Sequence, residues 1–167
     1  MANNVKRELD LYPGMCKWLK TYLSDKYQGK NCNIVVLDCH SSYLDSILSQ
    51  YDVIRYYPQI VGLKIEIDVL GIVIWKTKAE LYFIEAKKTA LNLQNLGQLL
   101  IYCRLCNPEC AYLLSSAGLG SLKKVLVNLK REDLLNYGNE RKIQQIKVAK
   151  WDVLRDSIDY HSIVPKN

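Results

Sequence analysis

Two carboxylates and an ammonium stand at a spacing that could serve one site. Asp68 lies in the run Ile65-Glu66-Ile67-Asp68-Val69-Leu70-Gly71, and seventeen residues later Glu85-Ala86-Lys87 ends an apolar run, Leu81-Tyr82-Phe83-Ile84. If the two runs are neighbouring strands, Asp68, Glu85 and Lys87 meet at one point. They then form the minimum kit for a divalent metal ion and an attacking water.

The elements that must position them follow from strand periodicity. A period of two puts Glu66 and Asp68 on one face of the first run and Ile65, Ile67 and Val69 on the other. In the second run the same period sets Glu85 and Lys87 in line with Leu81 and Phe83, so the charges begin where the apolar row stops. Unpaired charge at the end of a buried row is costly and calls for a reason. Between the runs, Trp75-Lys76-Thr77-Lys78-Ala79 is polar and short enough for a hairpin loop, so the spacing predicts antiparallel neighbours with Asp68 facing Glu85. The plain alternative is a hairpin with a solvated polar face and an incidental cross-strand ion pair.

The next segment weighs against that alternative. Over 89–106, Leu93, Leu96, Leu100 and Cys103 follow helical spacing, and Asn107-Pro108 supplies a stop. On another face Gln94, Gln98 and Tyr102 stand four apart and stack along one line. Such a stripe beside a carboxylate hairpin can hold a water or a phosphate by hydrogen bonds, although alone it reads as an ordinary polar face.

Taken together, Asp68, then Glu85-x-Lys87, then Gln98-x-x-x-Tyr102 resembles the PD-(D/E)XK nuclease superfamily, and the Gln-x-x-x-Tyr element resembles its RecB-like members. The resemblance covers about residues 60 to 106, and it rests on order, spacing and strand-strand-helix context because each motif is short. Ile67 stands where the proline of the family name would be. The resemblance implies an α/β, restriction-endonuclease-like fold: a mixed central β-sheet flanked by helices. It implies Asp68, Glu85 and the Ala86 carbonyl as ligands of Mg²⁺ or Mn²⁺, with Lys87 orienting the attacking water, Gln98 positioning the nucleophile or a phosphate oxygen, and Tyr102 supporting Gln98. Many members carry an acidic residue on the first helix that reaches the metal. Glu8 is the best match here, with Asp10 its rival, although a first-turn acid also simply suits a helix N-terminus.

Around this core, Met15, Trp18, Leu19, Tyr22 and Leu23 make a helical apolar face, with Pro13 suited to the first turn. Residues 33–39 read as a short strand, and Ser41 or Ser42 as the cap of a helix carrying Leu44, Ile47, Leu48 and Tyr51. A strand over 111–115 and a helix over 119–129 follow. The last forty residues alternate basic and apolar groups, among them Lys123, Lys124, Lys130, Arg131, Arg141, Lys142, Lys147 and Lys150. Lys and Arg total 23 against 17 acids, for a net charge of +6, which attracts polyanions without separating DNA from RNA.

At 167 residues and 49% hydrophobic content, with no linker or repeat, the chain is expected to form one domain over 1–167. Residues 1–8 hold no long apolar region and nothing approaches the ~20 apolar residues of a membrane span, so a soluble cytoplasmic protein is expected. Cys103, Cys106 and Cys110 lie close together, but a zinc site would need a distant fourth ligand such as His40, His161, Cys16, Cys32 or Cys39. Their spacing also departs from the iron–sulfur pattern of some RecB-like nucleases, and simple burial is the expectation; a Cys32–Cys39 disulfide is conceivable only in a hyperthermophile.

The sequence thus points to a Mg²⁺-dependent nuclease acting on DNA, structure-selective or of restriction type, as a homodimer with one site per strand. The alternatives are a RecB-like exonuclease, a non-catalytic nucleic-acid-binding module on the same fold, and an interaction protein whose hairpin only mimics the motif.

Overall fold

The computed structural model describes residues 5–166; the two ends of the domain read over 1–167, including the first four of the residues 1–8 read as lacking a long apolar region, lie outside the described residues. A single 3-10 turn, Glu8–Leu11, leads into helix α1 (Tyr12–Lys26), with Pro13 in its first turn as expected. Strand β1 (Asn33–Asp38) and helix α2 (Leu44–Gln50) follow. Neither Ser41 nor Ser42 caps α2, which starts after Tyr43 without a side-chain cap and instead ties its first amide, Leu44 N, to the Ile65 carbonyl at 2.8 Å. Strands β2 (Val69–Ile74) and β3 (Ala79–Lys87), helix α3 (Leu93–Cys106) and strand β4 (Cys110–Ser115) complete the first half. Beyond it come a helical segment over 121–128, a small hairpin of β5 (Asn136–Asn139) and β6 (Lys142–Gln145), and strands β7 (Lys147–Asp152) and β8 (Ser157–Val164).

The result is an α/β fold around a mixed six-stranded sheet in the order β1-β2-β3-β4-β7-β8. β1, β2 and β3 form an antiparallel meander; β4 joins β3 in parallel across α3; β7 joins β4 in parallel; β8 returns antiparallel. The hairpin inferred between Trp75 and Ala79 is present, closed by Trp75 N donating to the Lys78 carbonyl at 2.9 Å. The basic C-terminal stretch is therefore mostly strand.

Each face of the sheet carries its own core. On one side α1 lays Met15, Leu19 and Leu23 against Val69, Val73, Tyr82 and Ile84. On the other, α3 brings Leu96, Leu99, Cys103 and Cys106 to Ile72, Leu81, Phe83 and Leu113. The inward face of α3 is rotated from the expected one: Leu99 and Cys106 are buried, whereas Leu93 is 52% exposed. The helix also starts later than 89. Asn92 caps it by accepting from Asn95 N (3.0 Å) while the Asn95 side chain accepts from Asn92 N (3.1 Å). It ends as expected at Asn107, in the left-handed conformation (φ 49°) ahead of Pro108.

Burial on both faces also moves the first motif strand. Val69 to Val73 are all buried, so the polar/apolar alternation disappears inside the true strand. The alternating stretch 65–68 is instead an extended lead-in outside the ladder, with Ile65 and Ile67 buried and Glu66 exposed. The close seating of α1 depends on Gly71. A Cβ there would stand 2.9 Å from Leu23 Cδ1, 3.1 Å from Leu19 Cδ2 and 3.2 Å from Tyr82 Cβ. Gly71→Ala is expected to destabilise the fold by about 1–3 kcal/mol through overpacking. Chemical denaturation would read this as a lower midpoint at unchanged slope. An unchanged midpoint would show that α1 can lift off the sheet without loss.

Candidate functional site

The sheet brings the carboxylates together at the end where β3 stops. Val69 pairs with Ile84, so the next position along the two strands sets Asp68 opposite Glu85, as the hairpin reading expected. Asp68 is fixed through both oxygens: Oδ2 accepts from Ala86 N at 2.8 Å and Oδ1 accepts from the Tyr12 hydroxyl at 2.9 Å. Its own carbonyl accepts from Cys39 N at 3.0 Å, which ties the position to the end of β1.

Glu85 continues the row of Leu81 and Phe83 and is 5% exposed. One oxygen, Oε1, lies 3.3 Å from Lys87 Nζ; the other, Oε2, is buried without any hydrogen-bond partner. Lys87 Nζ also lies 3.5 Å from Glu8 Oε1, and Glu8 Oε2 accepts from Lys88 N at 3.3 Å. Of the two acids weighed at the N-terminus, Glu8 therefore reaches the cluster. Asp10 turns away to an exposed pair with Arg7 (3.0 Å).

The electrostatics of the group are those of crowded negative charge. Burial first, and then the charge of Asp68, push the Glu85 carboxyl up to about 8, with Lys87 only partly opposing. Asp68 is likewise raised by burial, although the Ala86 amide, the Tyr12 hydroxyl and Lys87 act in the other direction. Burial works against the charged form of Lys87, but Glu85, Glu8 and Asp68 outweigh it and hold the ammonium above its ordinary value. Two carboxylates thus compete beside one shared ammonium.

The other expected site residues are placed differently. Ala86 lies between Glu85 and Lys87 with its methyl buried on the α1 side, and its N–H is engaged by Asp68. Gln98 is exposed on α3, and Tyr102 is half-buried against the α3 core. Neither hydrogen-bonds to Glu8, Asp68, Glu85 or Lys87 among the described residues. The cause is geometric: α3 begins near the end of β3 and runs back along the sheet, so Tyr102 lies about 13 Å of helical rise beyond Leu93.

Tyr12 and His40 are neighbours that the motif pattern did not single out. The only sequence signal for Tyr12 is its place four residues after Glu8. Its ring lies 5.1 Å from that of His40, whose Nδ1 meets the Asp38 carboxylate. The cysteines, by contrast, are packing residues. Cys103, Cys106 and Cys110 are buried as free thiols, and burial pushes Cys106 up to about 12. Cys32 and Cys39 flank opposite ends of β1, about 23 Å of strand apart, so no disulfide can join them.

Among the described residues no group of three or more His, Cys, Asp and Glu side chains already encloses a metal position. The donor chemistry nevertheless fits a hard divalent cation. Glu85 Oε2 is a buried oxygen donor with no hydrogen-bond partner among the described residues, it stands beside a second carboxylate, and ions such as Mg²⁺ bind through one or two carboxylates while keeping several waters. Comparisons of the chain with protein-family models, curated proteins and solved structures gave no match.

The raised Glu85 carboxyl has a thermodynamic sign. Between its ordinary value of 4.5 and about 8 the folded state holds a proton that the unfolded state has lost, so stability must fall as pH rises through that window. In chelator, the melting temperature is expected to drop from about pH 5 to about pH 8, and less in Glu85→Gln. Parallel pH profiles for the two proteins would contradict the assignment of the charge crowding to Glu85.

Proposed function

We propose that this chain is a metal-dependent nuclease of the PD-(D/E)XK type, with a restriction-endonuclease-like arrangement of its sheet, that hydrolyses phosphodiester bonds in DNA. The observation that carries the reading is the half-buried Asp68 facing the buried Glu85, whose Oε2 is unpartnered, beside Lys87. The strand-strand-helix-strand order around it and the net charge of +6 support the same reading.

Asp68, Glu85 and the Ala86 carbonyl would hold Mg²⁺ or Mn²⁺, with Glu8 near enough to share the load through water. When bound, the ion supplies Lewis acidity at the scissile phosphate and neutralises the two carboxylates. The chain's own groups do the rest. Tyr12 and the Ala86 amide fix the plane of the Asp68 carboxylate, leaving no freedom for it to swing away. Glu85 and Glu8 hold the Lys87 ammonium at the mouth of the pair, where it can orient the attacking water and offset charge growing on the phosphoryl oxygens. Gln98, exposed on α3, is available to a phosphate oxygen, and Tyr102 would steady that part of the helix. A symmetric homodimer would place one site on each strand of a duplex.

The second reading is a nucleic-acid-binding module on the same fold, which draws on the positive charge alone. Labelled duplex, single-stranded, flap and four-way-junction DNA incubated with Mg²⁺ or Mn²⁺ separates the two. Cleavage that falls by about 10²-fold or more in Asp68→Ala and in Lys87→Ala is expected. A substrate cut internally indicates an endonuclease, and one shortened from its end a RecB-like exonuclease. Cleavage unchanged in Asp68→Ala would remove the site, and tight salt-sensitive binding without cleavage would favour the module. Tyr12→Phe provides a finer check: metal affinity should fall by about 10-fold or more, with activity largely recovered at saturating metal.

A further inference from the structure

Beside the carboxylates the same face of the sheet carries a basic pocket. Lys87, Ser115 and Lys150 occupy one register row across β3, β4 and β7, so their side chains leave the same face. At about 4.8 Å per strand, the backbones at Lys87 and Lys150 are about 10 Å apart across the sheet. Beyond Lys150 the surface sinks into a cavity of about 430 Å³ that also takes in Lys123, His161, Ser162 and Lys166. No acidic side chain lines it, and among the described residues Lys123, Lys150 and Lys166 have no carboxylate within 4.0 Å.

The pocket is built into the fold. A register shift between Val148 and Lys150 breaks the β7/β8 ladder, so that Lys150 faces Asp159 while Val148 faces Val164. Such irregularities re-aim side chains. Here the slack is taken up by Ser162, whose Oγ accepts from Lys150 N at 2.8 Å and donates to the Asp159 carbonyl at 2.6 Å. Asp159, the nearest acid along the ladder, directs its carboxylate to His161 N at 3.1 Å. On the other rim, the loop before the 121–128 helical segment is fastened to the chain that follows Lys87. Leu91 N donates to the Gly118 carbonyl at 3.2 Å and Ser121 Oγ to the Leu91 carbonyl at 3.5 Å. Gly120, at φ +52°, lies so close that a Cβ would stand 2.6 Å from the Leu91 carbonyl oxygen. The basic pocket and the carboxylate cluster are therefore held in a fixed relation.

We infer that this pocket binds a phosphate group of the nucleic-acid strand whose scissile phosphate lies at Asp68 and Glu85. The class of ligand rests on the nuclease reading above, and the position follows from the spacing. A backbone separation of about 10 Å between Lys87 and Lys150 is spanned by a few nucleotides of one strand. Lys123, Lys150 and Lys166 neutralise the phosphate, His161 can offer it a ring N–H, and the strand's direction across the carboxylates is fixed by two points instead of one.

The test uses Asp68→Ala protein in chelator, so that no cleavage occurs, and compares it with Asp68→Ala/Lys123→Ala/Lys150→Ala by fluorescence anisotropy of labelled oligonucleotides. Lys123 and Lys150 are exposed, and matching melting temperatures establish that the variants fold alike. The triple variant is expected to bind about tenfold or more weakly, with a log Kd against log salt slope lower by about 1 to 2. Equal loss for oligonucleotides with and without a terminal phosphate identifies an internal phosphodiester. A loss confined to the phosphorylated one identifies a terminal phosphate monoester, and both support the pocket. Unchanged affinity and slope overturn it, as does protection from melting by inorganic phosphate alone with oligonucleotide binding unaffected. Loss of binding in the triple variant, with no metal-dependent cleavage by the wild type, upholds the pocket and rejects the nuclease; cleavage with no such loss does the reverse.

Discussion

Two carboxylates that repel each other out of water are the constraint on which this structure turns. Asp68 and Glu85 face one another at the end of a doubly covered sheet, and the nearby Lys87 is shared with Glu8. Apolar packing alone would not place them so, because burial of like charge raises both carboxyls and leaves Glu85 Oε2 unsatisfied. Strain of this kind persists only where the surrounding fold over-determines the geometry.

The scaffold supplies that over-determination from three sides. Antiparallel pairing of β2 with β3 sets the two carboxylates opposite each other, and the Ala86 amide joins them through the backbone. α1, seated tightly over Gly71, carries Tyr12 to Asp68 at its first turn, and the 3-10 turn before it carries Glu8 to Lys87. Parallel pairing of β3, β4 and β7 then extends the same face toward Lys150. Movement of any one of these elements would alter the charge balance at the site.

The sequence revealed the site better than its frame. The row Leu81, Phe83, Glu85, Lys87 was legible because a period of two survives wherever a strand changes from buried to functional along one face. The boundary of β2 was not, since burial on both faces erases alternation and left the alternating lead-in 65–68 as the stronger signal. Glu8 was preferred to Asp10 only on the motif pattern, because a 3-10 turn and a helix present different residues inward and the structure fixes which turn is formed. Tyr12 was hidden by its own chemistry: its ring packs in the α1 core while its hydroxyl serves Asp68, a division that residue type does not reveal. Strands β6 and β7 were masked by their lysines, which by residue type look the same as on any solvated surface.

Calorimetric titration of Mn²⁺ into the protein near neutral pH, in two buffers of different ionisation enthalpy, tests the central claim most directly. If Asp68 and Glu85 form a cation site, Mn²⁺ binds the wild type with release of a proton held by the raised carboxyl pair, and both the binding and the release disappear in Asp68→Ala. Failure of the wild type to bind, or binding without proton release that survives Asp68→Ala, would contradict it.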